Sequence, residues 1–340
     1  EAKRCKQFDQ TLRSQLPSMM DLPPDELQFL TIPGILREAL SIPKRASRTF
    51  YLITLTLIFP LSFAILAHSL FTHPLVAQLD DTDFELSDAL ARRDLSLLFT
   101  FQFCYLIFVF AFSLLSTAAV VFTVASLYTS KNVTFSNTVS AIPKVFKRLF
   151  ITFLWVVLLM AIYNIFFLIV VVISLLSLDS QNVFLLLMIF IVLALFLGVH
   201  VYFTALWHLA SVISVLEPVY GIQAMKKSKE LLNGRVTMAG GMIFVYLLIC
   251  AGISGMFGSV VVHGAEKYGT LTRIVVGGML VGTLVVVNFV GLLAQSVFYY
   301  LCKSYHHQTI DKSILNEHLG GYLGEYVPLK SNIQLENFEV

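Results

Sequence analysis

Six long apolar blocks constrain this chain more than any other feature, because each is long enough to cross a bilayer as a helix. They fall at about 50–68, 98–128, 149–177, 183–215, 238–262 and 274–300. Transmembrane barrel strands would be shorter, with alternating polarity, so the pattern implies helices. Composition agrees. Only 13% of the 340 residues are charged and 57% are hydrophobic, with a mean hydropathy of +0.81. A soluble domain carries roughly 25% charged residues, so one water-soluble core is excluded. The expected fold class is an all-α integral membrane protein with six transmembrane helices.

Orientation follows from the flanking lysines and arginines, which accumulate on the cytosolic side of membrane proteins. Of the 23, all but Arg92, Arg93, Lys267 and Arg273 lie in the N-terminal segment, the second and fourth loops, or the tail. Both termini are therefore expected in the cytosol. The first loop instead carries Asp80, Asp81, Asp83, Glu85, Asp88 and Asp94, which suits the opposite face. The sequon Asn132-Val133-Thr134 falls on the cytosolic side and is expected to stay unglycosylated.

The basic flanks have a pattern of their own. Before the first span, Ile35, Leu36, Ala39, Leu40 and Ile42 share a helical face opposite Arg37, Glu38, Ser41 and Lys44, until Pro43 interferes. Before the third, Ile142, Val145, Phe146 and Leu149 oppose Lys144, Lys147 and Arg148. Before the fifth, Ile222, Met225 and Leu232 oppose Lys227. Basic amphipathic helices beside a membrane lie in the headgroup plane. The plan is three basic interfacial helices on the cytosolic side, in a degenerate threefold repeat of interfacial helix, span, span. Lys44, Arg45, Lys144, Lys147, Arg148, Lys226, Lys227 and Lys229 are the candidate contacts to anionic lipid headgroups. The same residues also serve as topogenic signals, which need no lipid specificity.

The organisation is then a non-native or disordered extension over 1–19, a cytosolic segment with an interfacial helix over 20–49, a six-span membrane domain over 50–302 and a cytosolic tail over 303–340. Met19-Met20-Asp21 reads as a natural start.

Polar residues inside the spans are few. His200, Thr204 and His208 are spaced by four and form a candidate polar face on span four. No carboxylate stands at similar depth, so hydrogen bonding across helices is the expected role, beside a lining of a solute path. Gln102, Asn164, Asn288 and Gln295 are expected to join helices. Ala251, Gly255 and Ser259, and Gly278 with Gly282, are expected to pack span five on span six, with dimerisation as the alternative. Glu217, before Pro218, is expected to cap the helix that follows. Cys5, Cys104, Cys250 and Cys302 have no metal-ligand spacing and read as free thiols. No catalytic motif, cofactor, metal or nucleic-acid partner is implied.

Asp21-Leu22-Pro23-Pro24, Glu26 to Leu30, Ile42-Pro43-Lys44, the run Leu216 to Ser228 and the run His318 to Tyr326 together resemble a plant family of uncharacterised multi-pass transmembrane proteins. That resemblance covers 20–340 and implies a plant source and an endomembrane setting. The segment with Glu217 and Ala224 to Ser228 is also remotely similar to the membrane domain attached to bacterial glycerophosphodiester phosphodiesterases. The hydrolase barrel of those proteins has no counterpart here, so the activity is not implied. Some plant members are labelled as partners of poly(A)-binding protein. Ser313 to Asn316, with Tyr322, partly resembles the peptide such proteins recognise, although Leu319, Tyr322 and Gly324 replace its alanine, phenylalanine and proline. Leu315, Asn316 and Tyr322 are thus the candidate partner-binding residues of the tail. The resulting functional expectation is a non-enzymatic endomembrane scaffold or adaptor that takes a cytosolic protein partner through its tail. The alternative is a passive transporter or channel.

Overall fold

A computed structural model describes residues 29–80, 88–129, 135–176, 183–265 and 267–308. Among these residues there is no strand. Six helices are long and apolar enough to span a membrane: Ser47–Pro74, Ser96–Tyr128, Val145–Ser174, Leu186–Leu216, Val236–Val262 and Thr270–Tyr305. The first, second, fifth and sixth enclose the corresponding apolar block, while the third stops short of the end of 149–177 and the fourth begins after the start of 183–215. The candidate tail residues Leu315, Asn316 and Tyr322, and the sequon at Asn132, lie outside the described residues.

Helix α1 (Ile32–Ser41) starts on Pro33, whose missing N–H costs nothing in a first turn. It gives way at Pro43 to a 3-10 turn over Ile42–Arg45. The first span then runs through α2 (Ser47–Ile53), a π-helical turn (Thr54–Ile58) and α3 (Phe59–Asp80). Pro60 accounts for the π turn: a proline clashes with the carbonyl four residues back and removes a donor, and one wider turn relieves both. The second span lies in α4 (Asp88–Tyr128) and the third in α5 (Phe135–Leu176). The fourth lies in α6 (Val183–Leu216), followed by the short α7 (Ile222–Leu232). The fifth is α8 (Val236–Phe257) plus a second π turn (Gly258–Val262), and the sixth is α9 (Thr270–Tyr305).

The sixth span is the axis of the bundle, touching the first, second, fourth and fifth. The core joins Phe50, Ile53 and Ile58 of span one, Val120 to Ala125 of span two, Leu209 and Ile213 of span four, and Leu293 to Cys302 of span six. Burial is uneven. The C-terminal half of span four, from Val201 to Leu216, is mostly buried, whereas Leu186, Leu187, Met188, Phe190, Leu193, Leu195 and Leu197 in its N-terminal half are exposed. Span three is likewise exposed from Leu154 to Leu176 on most of its circumference. A helix that is apolar all round and unburied by protein is what lipid solvates.

Three sequence expectations change shape here. The basic segment before span three is no separate helix, since α5 runs unbroken from Phe135 through Pro143 into the span. Helix α7 docks through Ala224, Ser228, Leu231 and Leu232, while Ile222 is exposed. The seat is polar as well as apolar, because Ser228 Oγ donates to the Leu206 carbonyl at 2.8 Å. The small residues of spans five and six do not form the contact between those spans. A Cβ built on Gly252, Gly255, Gly278 or Gly282 meets nothing within 4 Å. The two spans meet instead where Gly277 faces Phe257 and Val261 and where Gly291 faces Tyr246.

Candidate functional site

The end of the bundle that carries α7 holds a buried charge cluster assembled from three helices. Glu217 follows the last residue of α6 and is only 8% exposed. Its expected capping role is not what its carboxylate does. Gly221 is the N-cap of α7, no side chain caps it, and its φ of +63° turns the chain away from Glu217. That left-handed conformation suits glycine. The Gly221 N–H instead donates to Thr152 Oγ1 at 2.8 Å, and Thr152 shares a second bond with Ser214 Oγ at 2.7 Å. A Cβ at Gly221 would meet Trp155 at 3.4 Å, an ordinary contact, so it is the positive φ that favours glycine there. Spans three and four are thereby tied to the loop that carries α7.

The Glu217 carboxylate turns into the bundle. Tyr299, in the penultimate turn of α9, donates to Oε1 at 2.6 Å. Lys303, one turn later, pairs with the same oxygen at 3.1 Å. Lys227, on α7, pairs with Oε2. Burial alone would push this carboxyl above its ordinary range, but the lysine pairs and the tyrosine hydroxyl outweigh it and hold it below. Glu217 is therefore an ionised counter-anion that fastens α7 to the ends of spans four and six.

Around this hub the packing is aromatic and close. Tyr128 stacks on Tyr300 at 4.7 Å between ring centroids. Arg235, after α7, sits 4.5 Å over the Tyr305 ring. Gly234, at φ +81°, lets that ring approach: a Cβ there would lie 2.7 Å from the Tyr305 hydroxyl. A ring nitrogen of His306, Nε2, is 3.2 Å from the Leu231 carbonyl.

The polar groups within the membrane are bonded to one another. His208 Nδ1 meets Gln295 Oε1 at 3.0 Å, and Gln295 Nε2 donates to the His208 carbonyl and to Ser211 Oγ at 2.7 Å. Asn288 donates to Ser62 Oγ and accepts from the Tyr246 hydroxyl, both at 2.9 Å, joining spans one, five and six. His68 pairs with Gln102 at 2.8 Å across spans one and two. Asn164 is the exception, since it bonds only within its helix, to the Met160 carbonyl.

The candidate residues divide accordingly. Thr204 is buried and bonds the His200 carbonyl in its own helix, while His200 lies beside Tyr163 of span three, 6.0 Å between ring centroids. The spacing by four therefore places these groups on one stripe, yet their partners lie on different helices. Lys44, Arg45, Lys147, Lys226 and Lys229 are exposed, Arg148 is half-buried, and Lys227 is committed to Glu217. The Lys144 side chain lies outside the described residues. Tyr299 and Lys303 are the members that sequence reasoning missed.

A comparison with protein families matches residues 20–338 to the family described as domain of unknown function DUF8558. No curated protein and no solved structure matches the chain. The chain belongs to the DUF8558 family.

Proposed function

We propose, from the six-span helical architecture and from the Glu217 hub, that the protein is a non-enzymatic membrane scaffold or adaptor. Its termini lie in the cytosol of an endomembrane, following the lysine and arginine bias and the resemblance to the plant family. Its basic segments face the cytosolic leaflet in the threefold plan, the one before span three as the continuous start of α5, and the tail beyond Gln308 recruits a protein partner.

The observation that carries this reading is the clamping of α7. A three-turn helix with exposed Lys226 and Lys229 is held to the bundle by Ser228, by Leu231 and Leu232, and by the Lys227–Glu217 pair. A rigidly mounted basic helix at the end of a span presents fixed charge to a lipid surface. The pairing of His208 with Gln295 and of Asn288 with Ser62 and Tyr246 further supports polar groups used as interhelical joints.

The test is affinity capture of the full chain in mild detergent beside a chain ending at Gln308, which keeps Tyr305 and His306 against Arg235 and Leu231. A cytosolic partner enriched only with the full chain supports the adaptor. Identical recovery from both, together with solute flux in liposomes that is lost in His200→Ala, supports the passive transporter instead.

A further inference from the structure

The hub contains more positive charge than its carboxylate uses. Lys227 and Lys303 reach Glu217 from different helices and take one oxygen each. Each ammonium has three N–H donors; Lys227 gives one to Glu217, Lys303 lies 3.1 Å from the other oxygen and 5.7 Å over the Tyr299 ring, and no further oxygen acceptor among the described residues is bonded to either. Tyr299 adds a third donor to the same carboxylate. The cluster therefore holds two cations, one anion and several unspent donors. Its side chains are neither sealed nor free: Lys227 is 32% exposed and Lys303 19%.

Position adds the second constraint. Glu217 follows the last residue of span four directly, and Lys303 stands in the last turn of span six. Span six has 36 residues, about 54 Å of helix against a hydrocarbon core of about 30 Å. Its last turns therefore emerge at headgroup level. Exposed Lys226 and Lys229 on α7 add to the local field.

We propose that Lys227 and Lys303 form a seat for the phosphate of an anionic phospholipid headgroup, with Glu217 as its built-in competitor. The phosphate oxygens take the ammonium donors that Glu217 leaves, and the carboxylate sets how tightly. Lysine suits this role as a compact point charge. The seat rests on the reading that α7 lies at the leaflet surface, and it deepens that reading by naming the ligand and the residues.

The test uses the full chain in nanodiscs of phosphatidylcholine alone, with added phosphatidylserine, or with added phosphatidic acid. Native mass spectrometry counts the lipid retained on the released protein. The expected result is one anionic phospholipid retained in preference to phosphatidylcholine. Retention rises about fivefold in Glu217→Gln and falls about fivefold in Lys303→Gln, the weight of one surface cation in each case. Glu217→Gln keeps the shape and an acceptor for Tyr299, and the doubly neutral Glu217→Gln/Lys227→Met controls for folding.

Excess inorganic phosphate that displaces the lipid supports the shared phosphate chemistry. Phosphate binding without lipid retention overturns the headgroup assignment. Equal retention by wild type, Glu217→Gln and Lys303→Gln also overturns it. A nitroxide at Lys229→Cys separates the two failures. A label at headgroup depth with no anionic preference refutes the seat alone, and a label in bulk water refutes the interfacial placement of α7.

Discussion

Tyr299→Phe isolates the hub with little collateral damage. The ring is almost wholly buried, and phenylalanine keeps its packing, so only the hydroxyl is lost. That hydroxyl donates to Glu217 Oε1 at 2.6 Å. A hydrogen bond to a charged group contributes about 1.5–3 kcal/mol. Lys303 still pairs with the same oxygen at 3.1 Å, so the lower end applies. The expected loss is about 1.5 kcal/mol, roughly a tenfold shift in the unfolding equilibrium. The assay is SDS-driven unfolding of the full chain in mixed micelles, run as a double-mutant cycle with Glu217→Leu, which removes the acceptor. If both groups act through one bond, the cycle shows coupling of about 1 kcal/mol. Strict additivity, or a Tyr299→Phe variant within about 0.3 kcal/mol of wild type, refutes the hub as a stabilising element.

Other outcomes follow from the same geometry. The Glu217 carboxyl is held below its ordinary value of 4.5, so its stabilisation is fully present above that value and is lost as pH falls through the lower folded value. The stability difference between wild type and Glu217→Gln, measured by thermal unfolding, should stay flat from neutral pH to about 5 and collapse only in stronger acid. Gly234→Ala forces a left-handed φ on alanine and drives a Cβ against Tyr305; it should cost at least about 1–2 kcal/mol in the same unfolding assay. Asn288→Leu removes bonds to Ser62 and Tyr246, and at roughly 0.6 kcal/mol per interhelical bond it should cost about 1 kcal/mol. Asn132→Gln should leave gel mobility unchanged with or without deglycosylation, and a wild-type shift on deglycosylation would invert the topology.

The spans were legible because a bilayer imposes length and apolarity on contiguous residues, which a sequence displays directly. The contacts between spans were not legible. His208 and Gln295 each stand out as polar residues in apolar blocks, but 87 positions separate them. Nothing local says that they meet. The small residues of spans five and six misled because such stripes permit close approach without requiring it, and Gly277 and Gly291 do the work that Gly255 and Gly278 were expected to do. Glu217 misled for a related reason. An acidic residue before a helix usually serves that helix, yet the positive φ at Gly221 redirects the chain and leaves the carboxylate to Tyr299, 82 positions away. Lys226 and Lys229 blurred the helical stripe of α7 in the sequence, which set Lys227 opposite Ile222; the structure exposes Ile222 and turns Lys227 to Glu217, and the docking through Ser228 depends on the Leu206 carbonyl in another helix.

The central claim, a basic helix clamped at the leaflet surface, is tested most directly by nitroxide depth measurements at Lys226→Cys and Lys229→Cys in liposomes of the full chain, with and without Glu217→Gln. The account predicts labels at headgroup depth with restricted motion, and, in phosphatidylcholine where no anionic phospholipid bridges Lys227 and Lys303, greater mobility once Glu217 is neutralised. Freely tumbling, water-exposed labels that do not respond to Glu217→Gln would contradict it.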